Sequence, residues 1–302
     1  MIATGAQENK RNKRLAWLFV LPALLGLLLF VLIPFLLAVM LSFTNLRLGS
    51  PLPLEFMGFS QYRRIFADEA FTAALRNNAL FALIVVPLQT ALALLLALLV
   101  NQPLRGMTVF RTLFFMPVVF PLSLVAVVWI LVFAPGPQGL LNHLLETVTL
   151  GGWQPRDFLH DPAWALPAIS LTSIWQGVGF QMIILLAALQ GIPRELYDAA
   201  RVDGANRWQQ FVFITLPQLR NAMIFVVLVT TILAFRLFDQ VQIMTQGGPN
   251  HATTTVMYEA VNTAFGSQQV ARAAAMTVVF FLVVLLITLL QRAVARHQGV
   301  FE

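Results

Sequence analysis

The chain has 302 residues, of which 59% are hydrophobic and 11% charged, with a mean hydropathy of +0.79. Soluble domains carry about 25% charged residues, so water is not its main solvent. Lys10 and Lys13 are the only lysines, no GxxxxGK[ST] stretch occurs and cysteine is absent, which excludes a phosphate-cradling loop, Schiff-base chemistry, thiol nucleophiles and disulfides. The net charge of +6 rests on arginines at the ends of apolar runs, not on one basic face with interleaved aromatics, and so points to membrane topology and away from nucleic acid.

Six apolar stretches could each cross a hydrocarbon core that needs roughly 20 helical residues. They are Leu15 to Phe43, Asn77 to Val100, Thr112 to Phe133, Ala163 to Gln190, Pro217 to Met244 and Ala273 to Gln291. An all-α integral membrane protein of about six spans follows. Lys10, Arg11, Lys13 and Arg14 precede the first run as in a signal peptide, but the run is too long and further spans follow, so an uncleaved, peripheral first helix is expected. Lys and Arg number twelve in the N-terminal tail, the loop with Arg105 and Arg111, the loop from Arg194 to Arg220 and the C-terminal tail, against six in the alternate segments. Both termini are therefore expected in the cytoplasm. The outer segments Thr44 to Arg76, Ala134 to Pro162 and Thr245 to Arg272 carry Pro and Gly turn signals and read as short caps.

The fourth span contains Trp175-Gln176-Gly177-Val178-Gly179-Phe180-Gln181. Aromatics beside Gly suit close helix packing, and aromatics with amides also suit sugars, stacking on the apolar ring face and bonding its hydroxyls. In the following cytoplasmic loop Pro193 suits the first turn of a helix and Glu195 the positive end of its dipole. Asp203-Gly204 marks its end as a tight turn with one residue at positive φ. Trp208, Phe211, Val212 and Leu216 then recur at helical spacing ahead of Pro217. A helix, a bend and a second helix result, serving either as an amphipathic hairpin on lipid headgroups or as a docking element for a soluble protein.

Asp198-Ala199-Ala200, Gly204 and Ile214-Thr215-Leu216-Pro217 stand at the spacing of a known pattern. The segment resembles the EAA loop of binding-protein-dependent ABC importer permeases, with Asp198 where the family usually has Glu. Ile192-Pro193 and Asp203-Gly204-Ala205 resemble its carbohydrate branch. The resemblance implies a type I importer transmembrane domain over residues 75–291, after a basic tail (1–14) and a first helix with its outer loop (15–74), and before a cytoplasmic tail (292–302). It also implies that the loop 192–216 fits a groove on a separate ATPase. Glu195, Asp198, Ala199, Ala200, Asp203, Gly204, Ala205, Trp208, Phe211 and Pro217 are then the coupling residues.

In the fifth span, 15 uncharged residues separate Arg220 from Arg236, and Asp239 follows. Ionisable residues at membrane depth are costly and mark functional sites. Counting nine residues back from Thr245 at about 1.5 Å each places Arg236 roughly 13 Å deep in a core about 30 Å thick. Arg236 and Asp239, at i and i+3, would share a helix face and could pair. They read either as a salt bridge that lets Arg snorkel or as the polar lining of a solute path. Beyond them, Gly247-Gly248-Pro249 alone is only a turn signal. With Phe238-Asp239, Thr245 and the threonines Thr253 to Thr255, however, the segment is similar to the first, maltose-type permease of sugar importers and to the glycerol-3-phosphate importer. By that resemblance Trp175, Gly177 and Phe180, with Gln181 beside them, and Ala234, Phe235, Arg236 and Leu237, with Asp239, lie along the substrate path. The asparagines usual in the maltose importer near Ala234 to Leu237 are replaced.

The resemblance covers Trp17 to about Arg296. It implies a heterodimeric pore with a second permease, two ATP-binding subunits that hold ATP and Mg, an extracytoplasmic solute-binding protein and a bacterial or archaeal cell membrane. This chain itself is expected to hold no cofactor, to bind no nucleic acid and to be no enzyme. His143, His160, His251 and His297 are scattered without the pairing a metal site needs. The sugar-like solute has glycerol-3-phosphate as its alternative within the same machinery. An ion-coupled secondary transporter is a more distant reading, for which repeats and several intramembrane carboxylates would be expected.

Overall fold

A computed structural model describes residues 17–297. Among them, five helices are long and apolar enough to cross a membrane, six if the bent pair Met107–Val119 and Leu122–Val132 is counted as one span. The helices are α1 (Trp17–Leu41), α2 (Ser60–Phe66), α3 (Glu69–Val100), α4 (Met107–Val119), α5 (Leu122–Val132), α6 (Leu140–Val148), α7 (Ala165–Gln190), α8 (Arg194–Val202), α9 (207–235), α10 (Asp239–Met244), α11 (Val256–Val261) and α12 (Val270–His297). The basic tail before Trp17 and most of the C-terminal tail lie outside the described residues. The described chain forms two compact units, one made of the residues up to Ile65 with Ala260–Val279, the other of Phe66–Glu259 with the residues from Phe280 onward.

In the first unit none of α1's residues 17–41 is buried. Behind it Phe43 packs edge-on against Phe59 and beside Tyr62, while the Ser42 and Tyr62 hydroxyls lie 2.7 Å apart. The Leu48 N–H donates to the Gln268 carbonyl and the Ala271 N–H to that of Leu46, which ties this loop to the start of α12.

The second unit is built on α3 and α7. Asp68 caps α3, accepting from the Ala70 N–H at 3.0 Å. Ala93 and Ala97 of α3 lie fully buried with Met182, Leu185 and Leu189 of α7 and with Leu219 and Val226 of α9. Small residues let these helices approach closely, as packing in lipid requires. Gly179 does the same for α4: a Cβ there would lie 2.1 Å from the Phe114 carbonyl oxygen.

Two expected spans are not continuous helices. The third, expected from Thr112 to Phe133, is α4 and α5 meeting at 101°. Phe120 is extended (φ −78°, ψ 139°) because Pro121 follows and disfavours the helical region before it. In the fifth, expected from Pro217 to Met244, α9 ends at Phe235 and α10 begins at Asp239, with Phe238 at φ −141°, ψ −59° between them.

Candidate functional site

The loop between the fourth and fifth spans folds into the helix, bend and helix that its pattern predicts. α8 carries Glu195 in its first turn, ends at Asp203 and turns through Gly204 at φ +80°. Pro193 is the N-cap and not the first helical residue, so the helix begins one position later than Pro chemistry alone suggests. Asn206 and Gln209 form a reciprocal capping box that opens α9, a device the sequence reading missed although Asn-x-x-Gln announces it. α9 passes through a wider π turn at Phe211–Thr215 and continues into the fifth span. Pro217 lacks the N–H that would bond the preceding turn, which fits a shift of register there.

The two arms are fastened to each other. The Tyr197 and Thr215 hydroxyls lie 2.9 Å apart, and the Gln210 amide donates to the Ala205 carbonyl at 2.9 Å. Asp198 accepts from Arg201 on its own helix at 2.6 Å. Glu195, Asp198 and Asp203 are exposed together with Arg194, Arg201 and Arg207 and with the apolar Ala199, Val202, Trp208 and Phe213, giving a surface of both charges with apolar residues between.

A cavity of ≈ 360 Å³ opens where α9 breaks. Gly177, Phe180, Gln181, Ala234, Arg236, Leu237 and Asp239, all expected on the substrate path, line it. Two others do not. Trp175 packs edge-on against Trp129 at 5.6 Å, and Phe235 is buried against Phe280 at 6.1 Å. The sequence reading missed Phe81, Val85 and Gln89 of α3, Val118 and Leu122 flanking the Pro121 bend, and Ser173, Thr230, Leu233, Phe238 and Gln240, while Gln176, named within its segment, also lines the cavity. Glutamine, serine and threonine inside otherwise apolar runs were the available signal.

Arg236 and Asp239 both line the cavity, but the break lies between them, so they share no continuous helical face; no ion pair joins them among the described residues. The cavity walls are instead cross-linked by neutral groups. Ser173 donates to Gln240 at 2.8 Å, while the Gln181 amide donates to Thr230, whose own hydroxyl donates to the Val226 carbonyl at 2.7 Å. Gln181 Oε1 and Gln240 Nε2 have no partner.

Broken backbone in a membrane is tolerated only where its polar groups are answered. Here Asn78 Nδ2 reaches the Phe235 carbonyl at 3.5 Å and the Thr255 hydroxyl donates to the Leu237 carbonyl at 2.9 Å. Asn78 Oδ1 accepts from the Val256 N–H at 2.9 Å, and Asn77 Nδ2 donates to the His251 and Thr254 carbonyls at 2.7 and 3.0 Å. The Gly-Gly-Pro turn belongs to this scaffold. Gly247 has φ +80°, and a Cβ there would meet the Tyr258 ring at 2.8 Å; Gly248–Pro249 is cis, and the Gly248 carbonyl accepts from Thr253 at 2.6 Å. Gly247, Gly248 and Pro249 thus shape the outer loop and do not line the cavity. Among the described residues no group of three or more His, Cys, Asp or Glu could hold a metal.

This arrangement has known counterparts. Residues 89–299 match the family described as "Binding-protein-dependent transport system inner membrane component". The lactose transport system permease protein LacF of Rhizobium radiobacter is 35% identical over 99% of this chain and 100% of its own length. The diacetylchitobiose uptake system permease protein NgcF of Streptomyces coelicolor is 36% identical, covering 90% of this chain and 79% of that protein. The solved structure of a bacterial ABC transporter involved in the import of the acidic polysaccharide alginate superposes with a TM-score of 0.82 at 22% identity, covering 97% of this chain and 98% of that one, which establishes the type I importer permease fold. The chain therefore belongs to the binding-protein-dependent transport system inner membrane component family, as an integral membrane permease subunit of an ABC importer and not an enzyme.

Proposed function

We propose that the chain is one half of a heterodimeric pore that passes a sugar or oligosaccharide, received from an extracytoplasmic binding protein, toward the cytoplasm. A second permease completes the pore, and two ATP-binding subunits holding ATP and Mg drive it. Both termini lie on the cytoplasmic side of a bacterial or archaeal cell membrane. The observation that carries this reading is mechanical: the fastened hairpin of α8 and α9 runs by continuous helix into the residues that line the polar cavity. A displacement of the hairpin by a soluble motor is transmitted along α9 to its break, where the cavity changes shape. Neutral amides and hydroxyls dominate the polar lining, which suits a polyhydroxylated solute. Arg236 in the same wall supports glycerol-3-phosphate or another anion as the second reading.

Gly204→Val tests the coupling. Nothing lies within 4 Å of a Cβ at this position, so the variant is strained only by φ +80°, at about 1–2 kcal/mol, and the hairpin bend should shift while the spans persist. In proteoliposomes carrying the complete importer, ATP-driven uptake should fall at least tenfold while the permease still assembles. Uptake at the normal rate, or uptake that persists without the ATP-binding subunits, would refute the reading.

A further inference from the structure

We propose that Gln89 is a specificity-determining residue of the cavity and that it selects a neutral, hydroxyl-rich solute over an anionic one; the proposal rests on the importer reading above. Gln89 lies in α3, two positions beyond Pro87, and is only 6% exposed. It lines the cavity, yet its carboxamide makes no hydrogen bond to any described residue. Its oxygen and nitrogen are not among the enclosed, unpartnered atoms of the described residues, so they open onto the cavity, where a solute can answer them. The other deeply buried amides of the wall each spend one end on a neighbour, Gln181 Nε2 on Thr230 and Gln240 Oε1 on Ser173, which leaves Gln181 Oε1 and Gln240 Nε2 open, whereas Gln89 has both ends open.

The position of this amide is set by an absence. A Cβ on Gly177 would stand 2.2 Å from Gln89 Nε2 and 3.3 Å from its carboxamide carbon, so only glycine leaves the amide its place across α7. Gly177, expected to face the solute, thus also seats the residue that reads it. A carboxamide presents a donor and an acceptor side by side. A hydroxyl answers both, accepting from Nε2 and donating to Oε1. A phosphate or carboxylate offers acceptors alone and would leave Oε1 facing like partial charge. The ionisable groups of the wall are Arg236 and Asp239, one of each sign, so the wall carries no net charge to favour an anion.

The complete importer, reconstituted with its partner subunits and binding protein, should be given labelled neutral saccharides, including lactose and diacetylchitobiose, and anionic solutes, including sn-glycerol 3-phosphate. The wild type is expected to import a neutral saccharide in preference to every anion. For that saccharide, Gln89→Leu should raise KM about tenfold, the scale of one lost hydrogen bond, and erase discrimination against a deoxy analogue lacking the hydroxyl that is read. Gly177→Ala should reproduce this loss, and the double variant should add nothing to it, as expected of two residues acting as one unit. Gln89→Met keeps the chain length and gives the same readout if the leucine variant fails to assemble. Unchanged KM and unchanged deoxy discrimination, or preference of the wild type for an anion, would overturn the proposal and leave the importer reading standing. Failure of the wild type to import any solute of the panel would overturn that reading itself.

Discussion

The hairpin of α8 and α9 and the break in the fifth span both interrupt helix, and they are stabilised in different ways. In the hairpin the polar groups are answered nearby. Asn206 and Gln209 cap each other, the Ala205 N–H donates to Ala200, and the longest link, Tyr197 to Thr215, spans 18 positions. At the break, Asn77 and Asn78 reach partners 157 to 178 positions away. A locally closed element can move as a rigid body under an external push, whereas one tied across the chain holds its position relative to α3. One end of α9 is thus closed by local contacts and the other by contacts across the chain.

The most severe way to break that contrast is Asn78→Leu. Asn78 is fully buried, and leucine of similar size would leave the Val256 N–H and the Phe235 carbonyl unanswered, at about 1–3 kcal/mol for each group. Thermal unfolding of the detergent-solubilised importer should shift markedly downward, and the turn at residues 245–255 should become cleavable by protease. An unshifted melting temperature would show that the break does not depend on this asparagine. Asn206→Ala should cost less, about 1 kcal/mol, because it removes one cap from a locally redundant hairpin. Hydrogen exchange is expected to rise at residues 206–210 and to stay unchanged at the outer loop. A rise at both ends would mean that the hairpin is not an independent unit.

The same division explains what could be read from the sequence. Gly204 at positive φ and the two-helix hairpin follow from residues within one turn of each other. The membrane spans follow from composition alone. The interruption between Arg236 and Asp239 does not, since no Gly or Pro lies there and the segment reads as unbroken helix. What stops α9 is the offer of Asn78 and Thr255 to take carbonyls that a helix would otherwise use, an effect of tertiary contact. For that reason the two ionisable residues were expected as neighbours on one face. The bend of the third span does have a local cause, Pro121 acting on Phe120, although the stretch from Thr112 to Phe133 was expected as one span. Gln89 was passed over because an amide inside the apolar run that follows Pro87 acquires meaning only when Gly177 is placed beside it.

The smallest effect sharpens the contrast by asking whether a local pair in an outer segment behaves like the hairpin or like the break. In the loop between the third and fourth spans, Asp157 accepts from the His160 ring at 2.9 Å and from its backbone N–H at 3.1 Å. Partial burial pushes the Asp157 carboxyl upward, but these contacts outweigh it and hold it below the usual carboxylate range. A carboxyl depressed on folding adds stability that is present above its unfolded pKa, about 3.9, and is lost as pH falls through the lower folded value. Both side chains are substantially exposed, so solvent screening keeps the contribution small. Asp157→Asn should therefore melt slightly below the wild type at pH 7, with the difference closing as the pH falls below the ordinary carboxylate range. A difference that persists undiminished in acid would mean that Asp157 acts through the shape of the loop and not through its charge, as the long-range asparagines do.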